Sequence, residues 1–520
     1  MEYRIERAES AEAVGVSSKE IQAMIDDMVK ENIHIHSLMV LRHGKVACEA
    51  WNYPLKSDDV HMAYSISKSF LSVAYGFAFS EGLLTEETRF LDVFPEYFSL
   101  ADKYLRQLTL IDLLGMRSGK RTARGGKNWL KSFVDAKWDF SPGEDWRYVN
   151  ENYYAASAAL CRLTGMSVTE YLTPRLYEPL GIEVPFWETC PAGIEAGGWG
   201  LFLKTEDIAK FVLCCHNNGK FNEKQIIPSD WLKKATSYIS DTTSSQKESD
   251  CRAGYGYGFW QCAGMKNTFR CEGMYSQYAI SFGDYDACLV ITSGCAYLQK
   301  TLDVIWKHME KSFITEYDEK GINISIPESK PFSPSFYSKT ARDIHGKIYK
   351  IKKQHFIDIC GYPASSVPMP ATFMSKDKGG DITDLSFLFD DRGFVMKWSE
   401  KGGNRNCHYV PLDGTFCRGK ITIGELTFET VGYGRWTDDN TLEVCLRPVA
   451  AVAERRFVFT FKGKRISMYP DMIPSMDERS KIIGEKIKTV LKGRYFEWWI
   501  DFLVPRVKYI LQPVHHGKTK

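Results

Sequence analysis

Tyr64-Ser-Ile-Ser-Lys-Ser-Phe70 is the stretch on which the reading of this chain turns. Ser65 and Lys68 stand three residues apart at the opening of an apolar run, Phe70, Leu71, Val73 and Ala74, that reads as a helix continuing towards Gly82. Side chains at i and i+3 share one helix face, so the hydroxyl and the amine can meet. A serine alkoxide is out of reach at neutral pH without a base, and a lysine is a base only when burial or neighbouring positive charge lowers its pKa. The helix N-terminus adds a dipole that favours the developing anion. The same spacing recurs at Ser244–Lys247 and Ser375–Lys378, in polar loop sequence with nothing apolar behind it, and there it reads as chance.

A second pair lies 80 residues beyond Lys68. Tyr148-Val-Asn150 directly precedes another helical pattern that ends near Gly165. A loop tyrosine can shuttle protons, and an asparagine can hydrogen-bond a substrate carbonyl. Taken alone, the pair is equally an N-cap with a packed ring.

Around these motifs, Ser17-Ser18-Lys19-Glu20 caps a helix predicted over about 18–31, and a hairpin turning at His43-Gly44 follows over 37–53. Strand pattern returns at 255–260, 268–271, 278–282 and 287–292, before a helix near 302–313. Strands bracketed by helices at both ends predict one α/β domain over 1–325. Ile326 to Ser335, with three prolines, reads as a linker, 326–335. Hairpin signatures at 385–398 and at Phe457 to Gly463 predict an antiparallel β domain over 336–470. The remainder, 471–520, reads as a helical aromatic tail containing Trp498 and Trp499.

The 520 residues are 44% hydrophobic and 25% charged, which excludes disordered and fibrous classes. Against 67 Lys+Arg stand 65 Asp+Glu, and a net charge of +2 leaves no cationic surplus for a phosphate backbone, so nucleic acid is not an expected partner. Fourteen cysteines without a C-x-x-C pair, no secretory signal pattern and no apolar run near 20 residues lead to the expectation of a reducing cytoplasm. His34 and His36 share a strand face without an acidic or cysteine partner at zinc spacing, so neither metal nor cofactor is expected. Trp498 and Trp499 with nearby basic residues could touch a membrane surface, but such a tail is expected to dock on its own protein.

The two motifs, in order with Leu113 to Gly119, Ser141 to Asn150, Glu178-Pro-Leu-Gly181, Gly197-Gly198, Lys204 to Phe211 and Tyr255 to Trp260, resemble the serine β-lactamase-like hydrolases over about 20–315. That family includes class C β-lactamases, D-alanyl-D-alanine carboxypeptidases, related esterases and 6-aminohexanoate-dimer hydrolases. The resemblance implies an antiparallel sheet flanked by helices with a mainly helical lobe across a cleft. It also implies Ser65 as the acylated nucleophile, Lys68 as its activator, Tyr148 as proton carrier and Asn150 as a substrate-orienting residue. The family's third element, Lys-Thr-Gly or His-x-Gly on an edge strand, is replaced here by Cys271-Glu-Gly273. Strand alternation would turn Cys271 and Gly273 towards the cleft, with Gly273 admitting substrate and the Met274 N–H joining that of Ser65 as an oxyanion hole. Cys271 itself is expected to be a core thiol and not a second nucleophile.

The function expected is hydrolysis of a small ester or amide through an acyl-enzyme. β-Lactamase and D-Ala carboxypeptidase are the same-class alternatives, and a catalytically silent scaffold with the same fold is the different-class one.

Overall fold

The computed structural model describes residues 3–121, 128–314, 321–328, 332–335, 338–352, 382–400, 403–423, 426–452, 454–473 and 514–519. The chain divides into two compact units, Met1–Pro327 and Glu328–Lys520. Of the expected linker over 326–335, residues 329–331 lie outside the described set, as does the Ser375–Lys378 pair.

The first unit is built on a six-stranded antiparallel sheet. Its strands are β1 (Ile35–Arg42), β2 (Lys45–Trp51), β3 (Trp260–Gln261), β4 (Thr268–Gly273), β5 (Gln277–Phe282) and β6 (Ala287–Ser293), in the spatial order β2-β1-β6-β5-β4-β3. Both faces are covered, and the alternation of side chains sorts them. Met39 and Leu41 of β1, Cys271, Ala279, Cys288 and Val290 enter one core with helices α2 (Ser67–Ser80), α3 (Asn150–Thr164) and α4 (Thr205–His216). Leu38, Val40, Ile280, Leu289 and Ile291 enter the other core, with α1 (Ser18–Lys30) and α5 (Leu298–Ser312). Ser17 caps α1 by accepting the Glu20 N–H, as its spacing indicates. The strand expected over 255–260 contracts to its last residue, because Gly258 takes φ +84° and turns the chain against α2.

The second unit is a ten-stranded antiparallel sheet: β7 (Tyr349–Ile351), β8 (Ile382–Phe389), β9 (Gly393–Glu400), β10 (Arg405–Pro411), β11 (Cys417–Ile423), β12 (Leu426–Asp438), β13 (Thr441–Pro448), β14 (Glu454–Lys462), β15 (Arg465–Ile473) and β16 (His515–Thr519). Their order is β10-β9-β8-β7-β16-β15-β14-β13-β12-β11. The ends of this order meet. The Asn406 amide of β10 donates to the Thr422 carbonyl of β11 at 2.9 Å and accepts the Thr422 N–H at 2.7 Å, which curls the sheet into a barrel. The hairpins read at 385–398 and 457–463 are β8–β9 and β14–β15.

The helical tail expected over 471–520 is corrected at both of its described ends, while residues 474–513 lie outside the described set. Asp471 to Ile473 finish β15, and His515–Thr519 form β16 between β7 and β15. The reason is a short period-two pattern. His515 and Gly517 are buried and His516 and Lys518 exposed, and a Cβ on Gly517 would lie 2.7 Å from Ile351 Cδ1. Among the described residues, no helix is long and apolar enough to cross a membrane.

Helix α2, which carries the Ser–Lys motif, approaches a short helix, Ser229–Ala235, through Gly76. A Cβ there would fall 2.4 Å from the Trp231 ring. Helix propensity alone would make Gly76→Ala stabilising by about 1 kcal/mol, but overpacking costs typically about 1–3 kcal/mol and should win. Circular-dichroism melting is expected to show a lowered midpoint; a raised one would contradict this packing.

Candidate active site

The nucleophile turn is set by backbone geometry. Tyr64 holds φ +48°, a left-handed conformation that a bulky residue adopts only under constraint. Two contacts impose it. The Ser67 hydroxyl donates to the Tyr64 carbonyl at 2.5 Å and accepts the Leu201 N–H at 3.3 Å, and Gly273 presses on the turn so closely that a Cβ would sit 2.5 Å from the Ala63 carbonyl oxygen. Tyr64–Ile66 then form a 3₁₀ turn that runs into α2. Ser65 ends up three residues before Lys68 on a continuous helical path, where i and i+3 side chains share one face, and this sets the hydroxyl over the amine. Ser65 is half-buried and Lys68 fully buried.

Lys68 Nζ lies 2.8 Å from Ser65 Oγ, 2.8 Å from Asn150 Oδ1 and 2.6 Å from the Gly198 carbonyl oxygen. Two aromatic faces complete its surroundings, with ring centroids of Tyr148 and Tyr153 at 4.9 and 5.7 Å. Among the described residues no carboxylate pairs with it. Burial holds the amine well below the ordinary lysine value, opposed only by the more distant charge of Glu151.

Tyr148 stands in an aromatic box. Its ring stacks on Trp260 at 5.7 Å and 20°, and meets Tyr255 edge-on at 6.2 Å and Trp146 at 6.2 Å. Trp260 is in turn held by Arg270, whose guanidinium carbon sits 5.4 Å from the Trp260 ring centroid and whose Nε donates to Glu272 at 2.7 Å. Burial raises the Tyr148 phenol well above its ordinary value, with a hydrogen bond between it and Ser65 opposing the rise. The phenol is therefore protonated at neutral pH and can donate.

Of the seven residues read from the sequence, the structure brings Ser65, Lys68, Tyr148 and Asn150 together. Asn150 touches the lysine, where the sequence reading had it orient substrate. Cys271 is corrected as a substrate contact and is the core thiol expected. Its side of β4 faces the helical core, it is fully buried, and desolvation pushes its thiol up to about 12. Gly273 is also corrected, since the space left by its missing side chain is filled by Ala63 and Gln277 and not by a ligand. Met274 lies just past the end of β4 with an exposed side chain. Sequence reasoning missed Gly198, whose carbonyl completes the lysine's shell. The signal was the Gly197-Gly198-Trp199-Gly200 run, since a Cβ at Gly198 would lie 3.4 Å from Lys68 Nζ.

A family model described as Beta-lactamase matches residues 21–308, more than half of the chain. The protein belongs to this family. Its first unit has the β-lactamase/transpeptidase-like fold, a fold of hydrolases. An uncharacterized protein of Alkalihalophilus pseudofirmus is 25% identical over 207 residues, 36% of this chain and 57% of the relative, so the chain spans little more than half the length of that relative. A solved structure from Bacillus anthracis assigned as a 6-aminohexanoate-dimer hydrolase is 17% identical, covering 59% of this chain and 88% of its own, with a TM-score of 0.48. The D-amino acid amidase of Ochrobactrum anthropi SV3 is 16% identical, covering 56% and 98%, with a TM-score of 0.45.

The loop that carries Gly198 rests on a buried acid. The Glu188 N–H donates to the Gly200 carbonyl at 2.9 Å, and the Glu188 carbonyl accepts the Ala196 N–H at 2.8 Å. Its carboxyl oxygens have no hydrogen-bond partner among the described residues, and burial raises it from 4.5 to about 7. An acid with a raised folded pKa binds more protons folded than unfolded, so stability falls as pH rises between about 4.5 and 7. That shift corresponds to a loss on the order of 3 kcal/mol. Denaturant unfolding at a series of pH values should show this decline in the wild type and its absence in Glu188→Gln; equal slopes in the two would refute it.

Proposed function

We propose that this protein is a serine hydrolase that opens a small ester or amide through an acyl-enzyme on Ser65. The observation that carries the reading is the set of partners around Lys68. With burial favouring the neutral amine, the Gly198 carbonyl and Asn150 Oδ1, which can only accept, take its two N–H groups, and its lone pair faces Ser65 Oγ. A neutral lysine so placed is a general base.

Ser65 Oγ attacks the carbonyl carbon while its proton passes to Lys68. As the tetrahedral intermediate collapses, the Tyr148 phenol gives its proton to the departing alkoxide or amine and is reprotonated from Lys68. Water then repeats the sequence with the acyl carbon as target, and Ser65 leaves with its proton. Backbone N–H groups near Ser65 and Met274 would hold the oxyanion. β-Lactamase and D-Ala carboxypeptidase activity rank lower, because the position of a carboxylate-reading lysine in the third motif is taken here by the buried Cys271. A reducing compartment such as the cytoplasm fits the free thiols of the described cysteines.

Incubation with p-nitrophenyl acetate, nitrocefin and a fluorophosphonate probe tests this directly. The ester should be turned over and Ser65 labelled, both lost in Ser65→Ala. Lys68→Met should lower kcat/KM by about 10³-fold or more, and Tyr148→Phe by about 10²-fold or more. Nitrocefin turnover would favour the β-lactamase reading, and silence with all three reagents the scaffold.

A further inference from the structure

Behind Tyr148 stands a buried ion pair that the proposed chemistry leaves idle. Arg270 and Glu272 share one face of β4 and are both buried. Arg270 is the direct cross-strand partner of Trp260 on β3, and the Trp260 ring stacks on that of Tyr148. Taking two charges out of water costs several kcal/mol per ion, and an apolar pair of similar volume is often as stable or more so. The position of this pair therefore calls for a reason other than stability.

Every arm of the guanidinium is fixed. Nε donates to Glu272 Oε2 at 2.7 Å, Nη1 donates to the Gln261 carbonyl, and Nη1 and Nη2 both reach the Asp250 carbonyl at 3.4 Å. Gln261 follows Trp260 and ends β3, a strand of two residues. So short an edge strand makes few ladder bonds, and the bond from Arg270 supplements them. Asp250 is anchored in turn. Its carboxylate accepts from the Ala263 N–H at 2.9 Å and, from α5, Gln299 Nε2 at 2.7 Å and Trp306 Nε1 at 2.9 Å. Arg270 thus ties the tryptophan that flanks Tyr148 to β4 and, through Asp250, to α5. The charge of Glu272 also reaches the phenol: behind burial and Tyr255, it helps to keep the Tyr148 proton in place.

We infer that Arg270, paired with Glu272 and acting through Trp260, is a positioning residue that aims the Tyr148 phenol at the departing group. The inference rests on the acyl-enzyme reading proposed above. Proton delivery needs heavy atoms within about 2.6–3.2 Å, and a misplacement of about 1 Å can cost on the order of 10²-fold in rate. With the two rings stacked at 20°, a shift of Trp260 carries over to Tyr148. Lysine at position 270 would keep the charge and lose the fork that spans Glu272, Gln261 and Asp250 at once.

Two variants of the full chain test this: Arg270→Lys, and Arg270→Met combined with Glu272→Met, which removes the pair without stranding a buried charge. The readout is kcat/KM, which reports the steps through acylation, for p-nitrophenyl acetate and for phenyl acetate, whose more basic leaving group needs the proton more. Fluorophosphonate labelling of Ser65 should stay within about threefold of the parent, while kcat/KM for phenyl acetate falls about tenfold or more and that for p-nitrophenyl acetate by less. Made in Tyr148→Phe, the same changes should cost less than about twofold, since the group they aim is gone. Parent-like turnover of phenyl acetate, or an undiminished loss in the Tyr148→Phe background, would overturn the proposal. Arg270→Lys keeps Glu272 paired and decides the matter if the double change does not fold. Failure of the underlying reading looks different: Ser65 is then unlabelled in the parent, or Tyr148→Phe matches the parent, and the positioning role falls with it.

Discussion

A buried lysine amine that no carboxylate pairs with among the described residues is the constraint on which the first unit depends. Most buried lysines are paired, and pairing would keep this one charged and useless as a base. Here the helical core takes the side chain out of water, while a loop carbonyl and an asparagine oxygen accept its protons. The rest of the unit can be understood as support for that arrangement. The strained Tyr64, the close packing of Gly273 on Ala63 and the Ser67 bonds hold the hydroxyl above the amine, and Gly258 brings the 255–260 segment against α2.

How much of this could be read from the sequence follows from how local each part is. The Ser65–Lys68 contact depends on three residues of spacing, and Tyr148 with Asn150 on their place before a helix, so both were legible. Gly198 reaches Lys68 only through tertiary folding, and its glycine-rich run said no more than that some close approach existed. Cys271 was misread as a substrate contact because alternation assigns a side chain to a face of the strand and says nothing of how deeply it is enclosed there. In β4 the Cys271 side meets the helices, while Arg270 and Glu272 brace the tryptophan behind Tyr148.

The second unit shows the same division. Its hairpins were visible in alternating residues and glycine turns, which are local. Closure by Asn406 on Thr422 and the recruitment of His515–Thr519 as a strand are long-range, and β16 is too short and too polar to announce itself.

The protonation state of Lys68 is the most direct test of the central claim. Lysine residues labelled with ¹³C at Cε can be followed by NMR through a pH titration, with the Lys68 signal assigned by comparison with Lys68→Met. A resonance that reaches the neutral-amine position well below the pH of about 10.4 at which ordinary lysines titrate is the expected result. A Lys68 signal that stays at the charged position until about pH 10 would contradict it.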